Sequence, residues 1–349
     1  MNAQRIMVTG GSGFIGSNLI RHLLKQSDVE RVVNLDALTY AGNPENLSDL
    51  SEKDRYFFQE GRIQDRALVK RLLKEHRITH VMNLAAESHV DRSIEGPDAF
   101  IQTNIVGTFE CLEACREIKK EDNTEIRFIH ISTDEVYGSL GHEGKFTEQT
   151  PYAPNSPYAA SKASSDMIVR AYHKTYGMPC LITNCSNNYG PYQFPEKLIP
   201  LVTLRATRNA SLPVYGKGEN VRDWLYVSDH AEALHLVARN GKTGETYNIG
   251  GDQEVQNIEL VHRICEILDH LKPRTDGAPH SDLIEFVKDR PGHDFRYAID
   301  ASKLKSELGW KPKHDVQSGL ESTVKWYLNH SGWCDSVLKR GYELQRLGL

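Results

Sequence analysis

What this sequence does not contain removes several classes of protein at once. No apolar run comes near the roughly 20 residues that a membrane-spanning helix needs, so no membrane partner is expected. There is no surplus of positive charge. With 42 Lys and Arg against 47 Asp and Glu, the formal net charge is −5, and nothing drives the chain toward nucleic acid or an anionic surface. The six cysteines (Cys111, Cys115, Cys180, Cys185, Cys265, Cys334) form no CxxC pair and have no histidine at zinc spacing, so no metal is expected. Cys111 and Cys115 stand one helical turn apart in an apolar segment, where packing accounts for them. The opening "MNAQRIMVTGG" enters a strand directly and leaves no room for a signal peptide, so a reducing, cytoplasmic location is expected. No internal repeat, low-complexity tract or flexible linker interrupts the chain, and its 39% hydrophobic content is that of an ordinary globular protein.

What is there is a beat. Apolar strand-like runs occur at 5–9, 31–35, 55–59, 80–84 and 126–131, and between them lie helix-period segments at 14–26, 66–76 and about 98–120. In the first of these Ile15, Leu19 and Leu23 recur every four residues, the mark of one buried helix face. Strands alternating with helices predict an α/β fold with a doubly wound, parallel, Rossmann-type sheet. A further helix is expected from Ser156, a natural N-cap followed by Pro157, to about Tyr176, where Gly177 and Pro179 stop it. A strand at 179–184 follows. Beyond it the regular alternation is lost, which predicts a first domain over 1–184 and a smaller, mixed α/β substrate lobe mainly over 185–349, with some segments returning to the first domain.

"VTGGSGFIG" puts Gly10, Gly13 and Gly16 between the first strand and the first helix. Such a turn lets a pyrophosphate reach the amides at a helix N-terminus. Asp36 closes the second strand 20 residues after Gly16, where a carboxylate accepts hydrogen bonds from ribose hydroxyls and repels a 2′-phosphate. The expected cofactor is therefore NAD. A glycine-rich turn with a solvated Asp36 is the alternative.

Tyr158 and Lys162, four residues apart on the helix begun by Ser156, share one face. A phenol is a poor base at neutral pH, and a neighbouring ammonium together with an oxidised nicotinamide would favour its phenolate. At the end of the fifth strand stands "STDEVY", with Asp134 and Glu135 side by side, an odd choice for a structural turn.

The segments "TGGSGFIGSN", "LDALTYAGN", "NLAAESHVDRSI", "STDEVYG", "PYAASKA", "CSNNYGPYQFPEKLIPL", "RDWLYVSDH", "YNIGG" and "DRPGHDFRYAID" resemble the extended short-chain dehydrogenase/reductase superfamily, in its nucleotide-sugar 4,6-dehydratase branch. The resemblance runs to "ELGWKP", nearly the whole chain. It implies a hydro-lyase that oxidises C4 of a sugar with bound NAD, eliminates water across C5 and C6, and returns the hydride to C6. It assigns Asp134 as general acid at C6, Glu135 as base at C5, and Thr133 as partner of the C4 oxygen beside Tyr158 and Lys162. Around NAD it places Gly10, Gly13, Phe14, Ile15, Gly16, Asp36, Ala37, Leu38, Thr39, Arg62, Ile63, Leu84, Ala85, Ala86, Ser88 and Thr103, with Tyr158 and Lys162. Arg62 departs from the acidic residue usual there; a guanidinium cannot accept from the adenine amino group, although its plane could stack on the ring.

For the nucleotide sugar the resemblance implies Ser88, Asn187, Lys197, Leu198, Pro213, Tyr215, Arg222, Asn257, Arg290 and His293, with dTDP-glucose the expected substrate. Arg222 and Arg290 are the natural bidentate phosphate partners, though each could instead form a surface ion pair with Asp223 or Asp289. His89 reads as a packed histidine. UDP- or GDP-linked sugars and a non-catalytic NAD-binding scaffold remain alternatives. A homodimer is implied, through a four-helix contact of the 98–120 and 156–176 helices.

Overall fold

A computed structural model of the chain describes residues 3–52, 54–289, 294–339 and 344. Arg290, His293 and most of the C-terminal "RGYELQRLGL" lie outside them.

In chain order, β1 (Gln4–Thr9), α1 (Phe14–Leu24), β2 (Val29–Asp36), β3 (Tyr56–Glu60), α2 (Arg66–Glu75) and β4 (His80–Asn83) open the first lobe. Short helices α3 (Val90–Glu95) and α4 (Asp98–Phe100) lead through a π-helical stretch, Ile101–Gly107, into α5 (Thr108–Asp122). Then come β5 (Arg127–Thr133), α6 (Pro157–Tyr176), β6 (Cys180–Cys185), β7 (Asn187–Tyr189), α7 (Leu198–Ala206), β8 (Leu212–Tyr215), β9 (Val221–Tyr226), α8 (Val227–Asn240) and β10 (Thr246–Ile249). The chain closes with β11 (Glu254–Gln256), α9 (Asn257–Leu271), β12 (Ile284–Val287), α10 (Ser302–Leu308), α11 (Val316–Asn329) and α12 (Ser331–Lys339).

Seven strands form one sheet in the order β10-β6-β5-β4-β1-β2-β3, every pair parallel. This is the doubly wound sheet that the alternating pattern predicts, and both its faces are covered. Leu19 and Leu23 of α1 are fully buried with α8 residues against one face, while α2, α5 and α6 cover the other. The chain reverses direction of travel between β1 and β4, so the crevice at their C-terminal ends is the topological switch point where such sheets bind ligands.

Two local features position the site. First, β5 continues two residues past the apolar run, because Ser132 and Thr133 pair with Asn184 and Cys185 of β6. Asp134 therefore begins a 3-10 turn, Asp134–Tyr137, directly off the sheet edge. Second, α6 starts where predicted: the Ser156 hydroxyl accepts from the Ala159 amide at 3.1 Å, Pro157 fills the first turn, and Gly177 ends the helix at φ +62°.

The single helix expected over 98–120 is broken instead by the π-helical stretch. Its wider turn carries Thr103 and the buried Asn104, whose amide donates to the Glu87 carbonyl (3.0 Å) and the Ser161 hydroxyl (2.8 Å) while its carbonyl accepts from the Glu87 amide (2.9 Å). Those side-chain bonds fasten the helix to both the β4 loop and α6, a constraint that a hydrophobic-periodicity reading does not register.

The second lobe holds two small sheets, β11-β9-β7 and β12-β8, packed with α7, α9 and α11 around Ile199, Val202, Leu260, Ile264 and Leu320. Three segments beyond residue 185 return to the first lobe: β10 becomes its edge strand beside β6, α8 packs on α1, and Leu304 of α10 joins the same core. All six cysteines are buried and unbonded, Cys111 and Cys115 within the packing under α5.

Candidate active site

The glycines fit a ligand that must approach backbone. Gly10 has φ +70°, and a Cβ there would lie 2.9 Å from the Ala85 backbone; a Cβ on Gly16 would lie 2.2 Å from the Gly10 carbonyl. The α1 N-terminus, with Gly13 as its cap, has no capping side chain and no acidic residue in its first turn, so its amides point out unneutralised. Asp36 is buried, and its two oxygens accept from the Ser12 and Leu38 amides, each at 2.8 Å. Burial raises its pKa and these two amides pull it back. This cradle suits a pyrophosphate and a ribose, as the donor set of a dinucleotide site should.

One cleft collects nearly all the expected cofactor residues: Gly10, Gly13, Phe14, Ile15, Gly16, Asp36, Ala37, Thr39, Arg62, Ile63, Leu84, Ala85, Ala86, Ser88 and Thr103 line it. Leu38 takes part through its backbone, as the amide donor to Asp36, at φ +48°.

The same cleft ends on Thr133, Asp134, Glu135, Tyr158 and Lys162. The five come from two elements, the end of β5 with its 3-10 turn and the first turns of α6. Thr133 links them: its hydroxyl donates to Asp134 Oδ1 (3.3 Å) and accepts from the Glu135 amide (3.3 Å), and it lies close enough to the Tyr158 phenol to lower its pKa. Asp134 Oδ2 is buried with no hydrogen-bond partner among the described residues. Burial pushes the Asp134 pKa well above the carboxylate range, and the neighbouring Glu135 and Asp223 push it further against the pull of Arg222 and Thr133. So placed, the carboxyl is biased toward its protonated form.

The tyrosine differs from the simple expectation. Burial, then Glu135, raise its pKa well above the ordinary phenol value. Lys162 does not reverse this, because its ammonium donates to the Ile131 carbonyl (2.8 Å) and faces His130 Nε2 (3.4 Å). Burial brings the Lys162 pKa down to about 8. Beneath it lies a buried polar network that sequence reasoning missed. His130 contacts Asn83, Ser165 and Asp166, and Asp166 Oδ2 accepts from Ser132 and Tyr152, both at 2.9 Å. Burial lowers the His130 pKa to about 4, so it is neutral and adds no competing charge beside the ammonium.

A second cleft, in the other lobe, adjoins the first, and Glu135, Asn187 and Lys197 line both. It gathers Leu198, Pro213, Tyr215, Arg222 and Asn257, all expected around the substrate; Ser88 belongs to the first cleft, where its carbonyl accepts from Lys197 Nζ at 3.5 Å. Arg222 is buried rather than at the surface. It donates to the Val221 (2.8 Å) and Asp294 (2.9 Å) carbonyls with its guanidinium 4.4 Å from the Tyr297 ring centre, while Asp223 accepts the Gly251 and Gln253 amides. His89, read as a packed histidine, is buried and lines this cleft. Gln193, Glu196, Trp224 and Tyr297 also line it and were not singled out, although "YQFPEK" and "FRYAID" contain three of them.

Comparison with known proteins supplies the family. A family model described as GDP-mannose 4,6 dehydratase matches residues 7–323. The dTDP-glucose 4,6-dehydratase of Xanthomonas campestris pv. campestris is 59% identical over 346 residues, covering 98% of each chain. Among solved structures, the dTDP-glucose 4,6-dehydratase of Bacillus anthracis in complex with NAD superposes with a TM-score of 0.85 at 46% identity, over 96% of this chain and 100% of that one. The Streptomyces venezuelae enzyme of the same name, also with NAD bound, gives 0.87 at 43% over the same shares. The chain belongs to the dTDP-glucose 4,6-dehydratase family.

Proposed function

We propose that this enzyme converts dTDP-glucose to dTDP-4-keto-6-deoxyglucose, acting as an NAD-dependent hydro-lyase. The observation that carries the reading is the pair Asp134 and Glu135 beside the Thr133–Tyr158 contact, where the two clefts meet. Beside the hydride carrier, oxidation and reduction at one carbon require only a phenol and an ammonium. Removing water requires an acid and a base besides.

The hydrogen on C5 of a hexose is barely acidic until C4 becomes a ketone. NAD held by the glycine turn and Asp36 would supply a hydride acceptor for C4, the donor of that hydride to C6, and a positive charge while oxidised. Tyr158 takes the C4 hydroxyl proton, with Thr133 holding the C4 oxygen and Lys162 supplying charge from below. Glu135 removes the C5 proton and gives a proton back to C5 when the hydride arrives at C6. Asp134, kept protonated by burial, gives its proton to the departing C6 hydroxyl. After one turnover Tyr158 holds a proton more and Asp134 a proton fewer; Thr133, bonded to Asp134 and beside Tyr158, lies on the return path. Asp36 accepts the ribose hydroxyls, and Lys197, Arg222 and Asn257 bind the diphosphate side of the substrate.

Incubation with dTDP-glucose, UDP-glucose and GDP-mannose in separate reactions tests this. A 4-keto-6-deoxy product without net NADH, formed preferentially from dTDP-glucose, is expected. Preference for UDP-glucose or GDP-mannose would move the assignment to another nucleotide, and no product from any of the three would favour a binding scaffold.

A homodimer is part of the same reading. Ile101, Phe109, Met167 and Tyr176 are exposed on the helices over 98–122 and on α6, the two expected to meet a second copy. No described helix is long and apolar enough to cross a membrane. A cytoplasmic location is the reading that six unbonded cysteines support.

A further inference from the structure

The loop after β2 folds back over Asp36, and its outer side is held from the far end of the chain. Within the loop, the Asn43 amide donates to the Ser12 carbonyl (3.0 Å), and the Asn43 side chain caps a 3-10 turn, Pro44–Leu47. Asn46, in that turn, is 1% exposed. Its amide group donates to the same Ser12 carbonyl at 2.9 Å, and the Ser12 amide in turn donates to Asp36 Oδ2 at 2.8 Å. On its other side, Asn46 Oδ1 accepts from the indole Nε1 of Trp333, in α12, at 2.7 Å. A second bond from the same helix, Ser336 Oγ to Glu45 Oε1, measures 2.7 Å.

The bonds converge on Ser12: its carbonyl is held from Asn43 and Asn46 and its N–H is spent on Asp36, so fixing Asn46 from α12 fixes where that N–H points. The helix itself is anchored by aromatic packing. Tyr192 lies 4.6 Å from Trp326 and 5.9 Å from Trp333, with the Arg21 guanidinium 4.8 Å from its ring, and Arg21 donates to the Asn46 carbonyl at 2.5 Å. Tyr192 directly precedes Gln193, which lines both clefts. Nothing in the chemistry at C4, C5 or C6 calls for these contacts.

We propose that α12 is a latch on the cofactor turn, in which Trp333 and Asn46 act as positioning residues that fix Ser12 and Asp36 and keep NAD bound from one turnover to the next. The inference rests on the reading of Asp36 as the ribose acceptor. A reaction that returns its hydride leaves the cofactor as it began, so release serves no step and a slow off-rate costs nothing. Latching from residues 287 positions away in sequence is a means to that end which the glycine turn alone does not provide.

The test is NAD retention in the intact protein. Holo-enzyme is passed over gel filtration, its NAD content is measured, and release is timed by exchange against labelled NAD. Trp333→Phe keeps an aromatic ring against Tyr192 and removes the N–H; release is expected to accelerate by about fivefold, as for one lost hydrogen bond, and excess NAD to restore the holo fraction. Ser336→Ala is expected to have the same sign and a smaller size. Val337→Ala loosens the buried side of α12 and leaves the indole in place, so it is expected to release NAD near the parental rate. Release from Trp333→Phe within about twofold of the parent, or equal acceleration in Val337→Ala, overturns the latch. Asp36→Ala reports on the underlying reading. If it retains NAD like the parent, the ribose assignment fails; if it loses NAD while Trp333→Phe does not, only the latch fails.

Discussion

Asp36 and Asp134 are the same residue type at matching ends of two strands, one ending β2 and the other leaving β5, with β4 and β1 between them in one parallel sheet. Both are buried, and burial is the chief cause that raises both pKa values. What separates them is the donors they meet. Asp36 has an amide at 2.8 Å on each oxygen. Asp134 has a 3.3 Å hydroxyl on one oxygen, none on the other among the described residues, and two further carboxylates nearby. The fold brings a carboxyl to a strand end, and the local count of donors decides whether it serves as an anion or as an acid.

The largest effect should come from disturbing the acid and base themselves. Asp134→Asn cannot release a proton and Glu135→Gln cannot accept one, and each should lower product formation by about 10²–10⁴-fold, the usual worth of a positioned acid or base. The two should fail after the same first step. Glu135→Gln in particular should still oxidise C4, visible as NADH absorbance that appears on mixing with dTDP-glucose and persists. Dehydration at the parental rate by Glu135→Gln would remove the base from Glu135.

A smaller effect tests the other carboxylate. Asp36→Asn keeps the size and loses the charge, so it should weaken NAD binding by about tenfold, one charge-assisted hydrogen bond's worth. It should also narrow the gap between NAD and NADP, since the repulsion of a 2′-phosphate is gone. Titration of both cofactors into the apo-protein measures this. Equal loss of NAD affinity in Asp134→Asn would break the division of labour between the two aspartates.

The parts of this site that were legible in sequence each sit within one local element. The glycine turn and Asp36 bracket one β-α-β unit, and Tyr158 and Lys162 share one helix whose cap and stop residues are visible. "STDEVY" was legible as an anomaly and, through resemblance, as an acid and a base. Which of the two is protonated was not, because that depends on burial and on the charges of Asp223 and Arg222, nearly 90 residues on. The His130–Asp166 network under Lys162 and the Trp333–Asn46 contact were invisible for the same reason: each joins side chains from elements that only the folded sheet brings together. The π-helical stretch escaped because its apolar spacing still reads as helix, while the Asn104 bonds that fasten it are tertiary.

The smallest expected effect is on stability, and its sign distinguishes the two aspartates most sharply. In the unfolded chain Asp134 ionises in the ordinary carboxylate range, whereas in the folded chain it stays protonated to a higher pH. Between those two values the folded state binds more protons, so its stability falls as pH rises, by at most about 1.4 kcal/mol per pH unit for one group. Asp134→Asn has no such slope. Melting temperatures of the apo-proteins should therefore favour the variant increasingly as pH rises above the ordinary carboxylate range. Asp36→Asn should instead melt below the parent at about pH 8, because its amide NH₂ replaces an oxygen that now accepts a buried backbone N–H. A variant made more stable by losing its catalytic carboxyl is the signature of a group held in place against its own solvation. If the gap between Asp134→Asn and the parent stays flat with pH, Asp134 is ionised in the folded chain, and the contrast with Asp36 on which its role as the acid depends is lost.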